Sequence, residues 1–404
     1  MPKALENVRV LDLGRILAAP TTSMILGDLG AEIIHVEPPW GDDSRTFGPF
    51  VDGKSAYYVS INRNKKGIVL DLKKPEAREI VHDLIAVSDV LLENFRVGTM
   101  ERLGFSYERA HAINPRIIYA SISGFGNDAL PEYANRPAYD LVAQAFSGLM
   151  SITGTEGGPP VRVGSSIGDV MAGHHCAIAI LAALWHRERT GQGQRVDIAM
   201  VDSLIYMLEN AIVRYTVSGQ IPHALGTRHP TIVPFQVFRT ADGWLSVPIG
   251  NDELWVRYCQ AIERPDLAAL PRFQTNPSRV EHADELLPIL EEVMATKATG
   301  EWLSILARHE LPCSQINTID QVVHDPNVNH RKMVVDLDQP DIGRLKIAGS
   351  SFHMSETPGE VREHAPLLGE HTTEVLTDLL GYAPERVAAL ITSGAVYQHG
   401  TSQD

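Results

Sequence analysis

A chain of 404 residues with 44% hydrophobic and 21% charged residues has the balance of a folded globular protein, which excludes extended disorder. Its length exceeds the roughly 250–300 residues at which single cores stop growing, so two lobes are expected. The 50 acidic residues against 35 basic ones give a formal net charge of -15, which excludes nucleic acid as the main partner because phosphate binding needs a positive surface.

From the N-terminus, V-R-V-L-D-L-G reads as a strand, R-I-L-A-A-P-T-T-S-M-I-L-G-D-L-G-A as a helix and E-I-I-H-V-E as a second strand. A second unit repeats the pattern. G-I-V-L-D-L is a strand, P-E-A-R-E-I-V-H-D-L-I-A-V-S a helix with proline in its first turn, and D-V-L-L-E-N-F a strand. After a further helix, P-R-I-I-Y-A-S-I-S-G-F supplies another strand. This alternation predicts an α/β fold with a Rossmann-like large domain, whose parallel sheet takes ligands at the carboxyl ends of its strands, where Arg15, His35, Asn94 and Phe95 fall. The run from Asp169, D-V-M-A-G-H-H-C-A-I-A-I-L-A-A-L-W-H-R, is apolar on nearly every face and reads as a buried helix. T-G-Q-G-Q then turns the chain into the strand R-V-D-I-A-M, and a helix is expected from Val201 toward Ser218.

From about Pro234 the texture changes. F-Q-V-F-R-T-A-D-G-W-L-S-V-P-I-G predicts a hairpin with an Asp-Gly turn, with helices to about Glu310. The expected organisation is a large domain over 1–200 and 330–404, a smaller α+β domain over 225–325, and connecting segments at 201–224 and 326–350. Strand character returns around V-V-D-L-D-Q-P-D-I-G-R-L-K-I-A-G, and H-T-T-E-V-L-T-D-L-L-G is read as the capped helix that ends the fold. The N-terminus M-P-K-A-L-E-N-V-R-V has no leader pattern, and the longest apolar run, Cys176 to Trp185, is shorter than the roughly 18 residues of a membrane span. The expectation is a cytoplasmic protein with no membrane partner. Cys176, Cys259 and Cys313 lack C-x-x-C spacing, so no disulfide or metal site is expected.

Three chemistries compete for these residues. Glu37 follows the second strand as a ribose-binding acid would, but Gly14-Arg15-Ile16-Leu17-Ala18-Ala19-Pro20 has no G-x-G-x-x-G to admit a pyrophosphate. Gly164-Ser165-Ser166-Ile167-Gly168 fits the G-x-S-x-G elbow of a serine hydrolase, which would make Ser166 a thioesterase nucleophile, although P-P-V-R-V-G before it is a weak strand. Asp169 is either an N-cap or a nucleophile at the mouth of the buried helix.

The order of V-R-V-L-D-L-G-R-I-L-A-A-P, L-G-A-E-I-I-H-V-E-P-P, N-R-N-K-K-G-I-V-L-D-L-K, L-L-E-N-F-R-V-G-T-M-E-R-L-G, the D-V-M-A-G helix, R-T-G-Q-G-Q-R-V-D-I-A-M and P-L-L-G-E-H-T resembles the family III CoA-transferases. That group includes formyl-CoA transferase, succinyl-CoA:dicarboxylate CoA-transferase-like enzymes and, as a divergent branch, α-methylacyl-CoA racemase. The resemblance implies that Asp169 is the nucleophile and that CoA moves from an acyl-CoA to a carboxylic acid through an aspartyl-acyl anhydride and an aspartyl-CoA thioester. The expected donor is succinyl-CoA or another dicarboxyl-CoA. No permanently bound cofactor or metal is implied, coenzyme A arriving as part of the substrate, and the expected assembly is an interlocked homodimer.

By the same resemblance, Arg15, Ile16, Leu17, Ala18, Leu70, Lys73, Asn94, Phe95 and Arg102 match CoA-binding positions, Lys73 and Arg102 equally suiting solvated surface charges. Leu17 stands where formyl-CoA transferase has glutamine, so a different acid is expected. Tyr139 stands where the racemase branch has a proton-transferring histidine; with a reference pKa of about 10 it is a poor base, which disfavours racemisation and leaves it to CoA or substrate binding. The long glycine run of formyl-CoA transferase is missing, and V-P-I-G-N-D-E around Gly250 occupies its region. Arg228 and His229, in G-T-R-H-P, are the candidates for meeting the far carboxylate of a dicarboxylic acid. A CoA-binding subunit without catalysis is the remaining alternative.

Overall fold

The computed structural model describes residues 3–400, which form two compact units. The larger comprises the chain up to Leu149, Val163–Glu209 and the chain from Pro326 onward; the smaller comprises Met150–Arg162 and Asn210–Asp325. In the larger unit the order is β1 (Arg9–Asp12), α1 (Ala18–Asp28), β2 (Glu32–Glu37), β3 (Lys65–Leu70), α2 (Pro75–Val87), β4 (Val90–Glu93), α3 (Thr99–Leu103), β5 (Ile118–Ser123), α4 (Asp140–Phe146), α5 (Ile167–Thr190), β6 (Arg195–Ala199) and α6 (Met200–Tyr206). The parallel strands lie in the order β3-β2-β1-β4-β5-β6. This is the doubly wound α/β arrangement, and its direction reverses between β1 and β4, opening a crevice at their carboxyl ends.

Each face of the sheet has its own core, as the continuous apolar runs of its strands require. On one face Val10, Leu26, Val90, Ile118 and Ile180 pack with α1 and α5; on the other Leu11, Ile34, Ile80, Leu84 and Leu91 pack with α2. Each such fully buried side chain contributes roughly 1.5–3 kcal/mol. The contact between α1 and α5 is close because Gly173 has no side chain: a Cβ there would stand 2.8 Å from the Ala18 carbonyl oxygen and 2.8 Å from Thr21 Cβ. Thr22 Oγ1 donates to the Gly173 carbonyl across the same contact at 3.1 Å. With 24 residues, α5 is long and apolar enough by length and composition to cross a membrane, which the shorter run read from sequence concealed. Its Cys176, Ile180 and Leu184 lie within the core.

The chain after Val201 departs from expectation. No single helix runs to Ser218: after α6 the turn tightens, Met207 N–H donating to Leu204 O and Leu208 N–H to Ile205 O, and Glu209 takes a left-handed φ of 52°. A second helix, α7 (Ala211–Ser218), follows in the smaller unit. That unit also holds the expected hairpin, β7 (Phe235–Arg239) and β8 (Trp244–Pro248), then α8 (Asp252–Ala261), α9 (Ala283–Met294), α10 (Thr299–Arg308) and β9 (Ser314–Gln315), which joins the edge of β8. Phe238, Leu245, Trp255, Phe273, Leu290 and Trp302 form its core.

Residues 326–350, read from sequence as connecting, contribute a folded hairpin, β10 (Val334–Gln339) and β11 (Gly343–Ala348), whose Leu337 and Ile347 pack on Tyr58 and Val59. The fold also does not end at H-T-T-E-V-L-T-D-L-L-G. Beyond it come α11 (Pro384–Thr392) and β12 (Val396–Tyr397), which pairs antiparallel with β3 at the sheet edge.

Candidate active site

A cavity of about 420 Å3 in the larger unit lies over the crevice between β1 and β4. Its wall includes Arg15, Ile16, Leu17 and Ala18 from the turn after β1, Asn94 and Phe95 after β4, Tyr139 before α4, and Asp169 in α5. These residues are dispersed over more than 150 positions of sequence; the parallel sheet brings them together because every β-to-α turn opens on the same side.

The turn after β1 is held in an unfavourable shape. Gly14 has no room for a side chain, a Cβ there standing 2.3 Å from that of Ala19. Ile16 has φ 67°, a left-handed conformation that costs a β-branched residue on the order of 1–3 kcal/mol. The surroundings impose it: Ile16 N–H donates to Asp42 Oδ2 at 3.1 Å, and Gly14 N–H to Asp12 Oδ1 at 2.8 Å. Arg15 N–H donates to Asn94 Oδ1 at 2.8 Å while Asn94 Nδ2 donates to the Arg15 carbonyl at 2.9 Å. The Asn94 amide thus ties together the two loops that flank the reversal of the sheet.

Below that turn Asp12 is fully buried and also accepts from Ser23 Oγ at 2.6 Å, with His35 Nδ1 at 3.1 Å and Lys65 Nζ at 3.4 Å. Burial alone would raise its pKa, but Lys65 and His35 outweigh burial and hold the carboxyl below its usual range. His35, expected at a ligand-facing strand end, is instead wholly buried in this network. The side chain of a residue inside β2 alternates with the pleat, and at His35 it points into the protein.

Asp169 is the third residue of α5, and Ser166 precedes the helix without a side-chain capping bond. The cap comes from elsewhere in the chain. Asp140 Oδ1 accepts from Gly168 N–H at 2.8 Å, and Asp140 Oδ2 from Gln144 Nε2 at 2.7 Å. No hydrogen bond from a described residue is directed at the Asp169 carboxylate. Burial, with the Asp140 charge adding to it, pushes the Asp169 carboxyl up to about 7. Tyr57 lies close enough for the Asp169 charge, together with burial, to raise its hydroxyl pKa as well. Ser166 has no strand before it, and its hydroxyl meets no histidine among the described residues.

Other expected site residues do not line this cavity. Leu70 is 1% exposed at the end of β3, opposite Val396 of the edge strand. Lys73 places its ammonium 5.4 Å from the Trp40 ring centroid, and Arg102 Nη2 donates to Thr99 Oγ1 at 2.8 Å. In the smaller unit, Arg228 pairs with Glu156, and His229 Nδ1 accepts from Thr231 N–H at 3.2 Å while its ring lies 5.2 Å from that of Phe235. Gly250 is exposed with open space around it, directly before the Asn251 cap of α8.

Sequence reading missed Asp140, Tyr57, Arg96 and Arg136. Arg96 and Arg136 line the cavity and have no carboxylate partner among the described residues, whereas Arg15 is paired with Asp43 at 2.9 Å. On a chain of formal charge -15, these two guanidinium groups bring local positive charge to a wall that also carries Asp43 and Asp169. The available signal for Arg96 is its place directly after Asn94-Phe95 in the L-L-E-N-F-R-V-G segment; Arg136 stands in no such segment.

The chain matches the family model described as CoA-transferase family III over residues 5–372. It is 38% identical over 401 residues to the succinyl-CoA:glutarate CoA-transferase of Homo sapiens, covering 99% of this chain and 91% of that protein. It is 40% identical over 383 residues to the succinyl-CoA:mesaconate CoA-transferase of Haloarcula hispanica, covering 93% and 96%. A crystal structure of a CAIB/BAIF family protein from Brucella suis superposes with a TM-score of 0.82 at 35% identity, covering 94% of this chain and all of that one. With a doubly wound sheet, a cavity at its reversal point and similarity over almost the full length, the chain belongs to CoA-transferase family III and is a CoA-transferase.

Proposed function

We propose that the enzyme moves CoA from succinyl-CoA or another dicarboxyl-CoA to a carboxylic acid by double displacement on Asp169. The observation that supports this reading best is that Asp169 faces the cavity in the first turn of α5 while Asp140 takes the capping role that would otherwise explain it. An Asp169 oxygen attacks the thioester carbonyl and CoA leaves as thiolate, giving the mixed anhydride. The thiolate attacks the aspartyl carbonyl, releasing the donor acid and leaving an aspartyl-CoA thioester. The acceptor carboxylate attacks that carbonyl and frees the thiolate again; the thiolate takes the acceptor acyl group and Asp169 returns as carboxylate. A carboxyl titrating near 7 is a more basic nucleophile than an ordinary aspartate and is still ionised at mildly alkaline pH.

Incubation with succinyl-CoA followed by hydroxylamine is expected to modify the peptide that contains Asp169, and a mass-resolved panel of acids to show CoA transfer to dicarboxylates. Modification elsewhere, or none under turnover, would sink the mechanism. For a thioesterase, no histidine among the described residues meets Ser166, and for racemisation Tyr139 is a poor base.

Arg228 and His229 are proposed to favour a dicarboxylate acceptor. A charge-assisted bond to a remote carboxylate contributes about 1.5–3 kcal/mol, so Arg228→Ala or His229→Ala is expected to raise KM for succinate roughly ten- to a hundredfold with little change for butyrate. Glu156 competes for Arg228, so Glu156→Gln is expected to lower the succinate KM; a succinate-to-butyrate ratio unmoved in all three variants removes this pair from substrate selection. The enzyme is further proposed to be an interlocked homodimer. Ile178, Trp185 and Tyr206 of the larger unit and Val213, Tyr215 and Val217 of the smaller are exposed apolar side chains suited to burial by a second copy. Sedimentation over a dilution series reads this, folded monomer being the contrary result.

A further inference from the structure

We infer that Glu93, at the end of β4, is a positioning residue for coenzyme A: its carboxylate sets the backbone of Phe95–Val97, the wall that this chain presents to the CoA-binding cavity. Two cavities share that wall. Phe95, Arg96 and Val97 line the large cavity that contains Asp169 and also a small one of about 30 Å3 behind it. Glu93 lines only the small one, is 5% exposed, and accepts from Phe95 N–H at 2.8 Å. Its neighbour Asn94 ties the same segment sideways to Arg15. In E-N-F, therefore, the first two side chains fix the loop and the third meets the cavity.

The hydrogen bond from Phe95 runs to a buried carboxylate, which makes it stronger than a bond to a neutral acceptor. The other ionisable groups around the small cavity are Arg96, Glu101, Tyr107, Glu108, Tyr119 and Arg195, with Asp197 near it. Burial pushes the Glu93 carboxyl up to about 7, Glu101 and Asp197 adding to the rise and the bonds from Ser121 and Phe95 opposing it. The carboxylate holding the wall is therefore charged at pH 8 and largely protonated at pH 6.

The inference needs only that the chain binds CoA, so wild-type enzyme that binds CoA without forming an Asp169 adduct would sink the double-displacement mechanism and leave this test intact. Binding of free CoA is measured by calorimetry on full-length wild type, Glu93→Ala and Glu93→Gln, with thermal melting and turnover alongside. Glu93→Ala is expected to weaken CoA about tenfold, about 1.4 kcal/mol, while kcat at saturating acyl-CoA stays within about threefold. Glu93→Gln keeps an acceptor oxygen and is expected to stay within about threefold of wild type. The wild-type advantage over Gln should be about twofold larger at pH 8 than at pH 6; taking the ratio cancels titration of the CoA phosphates and of Asp169. If the Ala variant does not fold, Glu93→Met, of similar volume and without the acceptor, takes its place. An unchanged CoA affinity in the variant lacking the acceptor, a Gln variant as weak as that one, or a ratio independent of pH overturns the inference, whatever happens to the melting temperature.

Discussion

Replacing Asp169 with asparagine is expected to lower transferase turnover by at least about a thousandfold and, at the same time, to stabilise the folded enzyme at alkaline pH. On the proposed mechanism the loss follows because an amide cannot form the anhydride, and the other carboxylate of the cavity wall, Asp43, is paired with Arg15. The gain follows from the environment of the side chain. Burial and Asp140 raise the Asp169 carboxyl from 3.8 to about 7. Because the folded-state value lies above the unfolded one, the stabilising contribution is full below the unfolded value and is lost as pH rises through about 7. At pH 8 the wild type therefore holds an ionised carboxylate in a poor environment, and asparagine does not. Allowing for the side chain's partial exposure, the difference is on the order of 1–2 kcal/mol, readable as a rise in melting temperature that shrinks toward pH 4. A variant no more stable than wild type at pH 8, or equally stabilised at both pH values, would contradict this account of the site.

The second large effect lies in the pH profile. On the proposed mechanism only ionised Asp169 attacks, so kcat/KM is expected to fall about tenfold per pH unit below about 7. Asp140→Asn retains an oxygen to accept the Gly168 N–H but removes the charge that adds to the Asp169 shift. The acidic limb of Asp140→Asn is therefore expected to move to lower pH while the alkaline plateau falls modestly. The 3′-phosphate of CoA also titrates near 6, so the informative quantity is the displacement between the two enzymes. An acidic limb that stays in place in Asp140→Asn would show that Asp140 does not set the reactivity of Asp169.

On the proposed function, the cavity accounts for how a chain rich in acids would host a polyanionic substrate. Asp42 and Asp43 hold Ile16 and Arg15 in place, which leaves Arg96 and Arg136 as the unpaired cations at the wall. Local placement decides the matter, since the formal net charge of -15 would repel CoA at long range and screening confines that repulsion to about 8–10 Å at physiological salt.

The sequence by itself determined the alternation of strands and helices, because each element's hydrophobic period is local and visible: the apolar runs of β1, β2, β4 and β5, the proline in the first turn of α2, and the Asp-Gly turn between β7 and β8. It also determined the family and, through the resemblance, singled out Asp169. Tertiary structure decided what Asp169 is free to do, since its rival cap Asp140 lies 28 positions before Gly168 and reaches it only once α4 packs beside α5. Tertiary structure likewise turned His35 inward, placed Leu70 beside the edge strand β12 that no local pattern announced, and broke the helix after Tyr206 at Glu209. In each case the deciding term is a contact between residues distant in sequence, or burial that depends on what packs above, and neither leaves a period in the chain to be read.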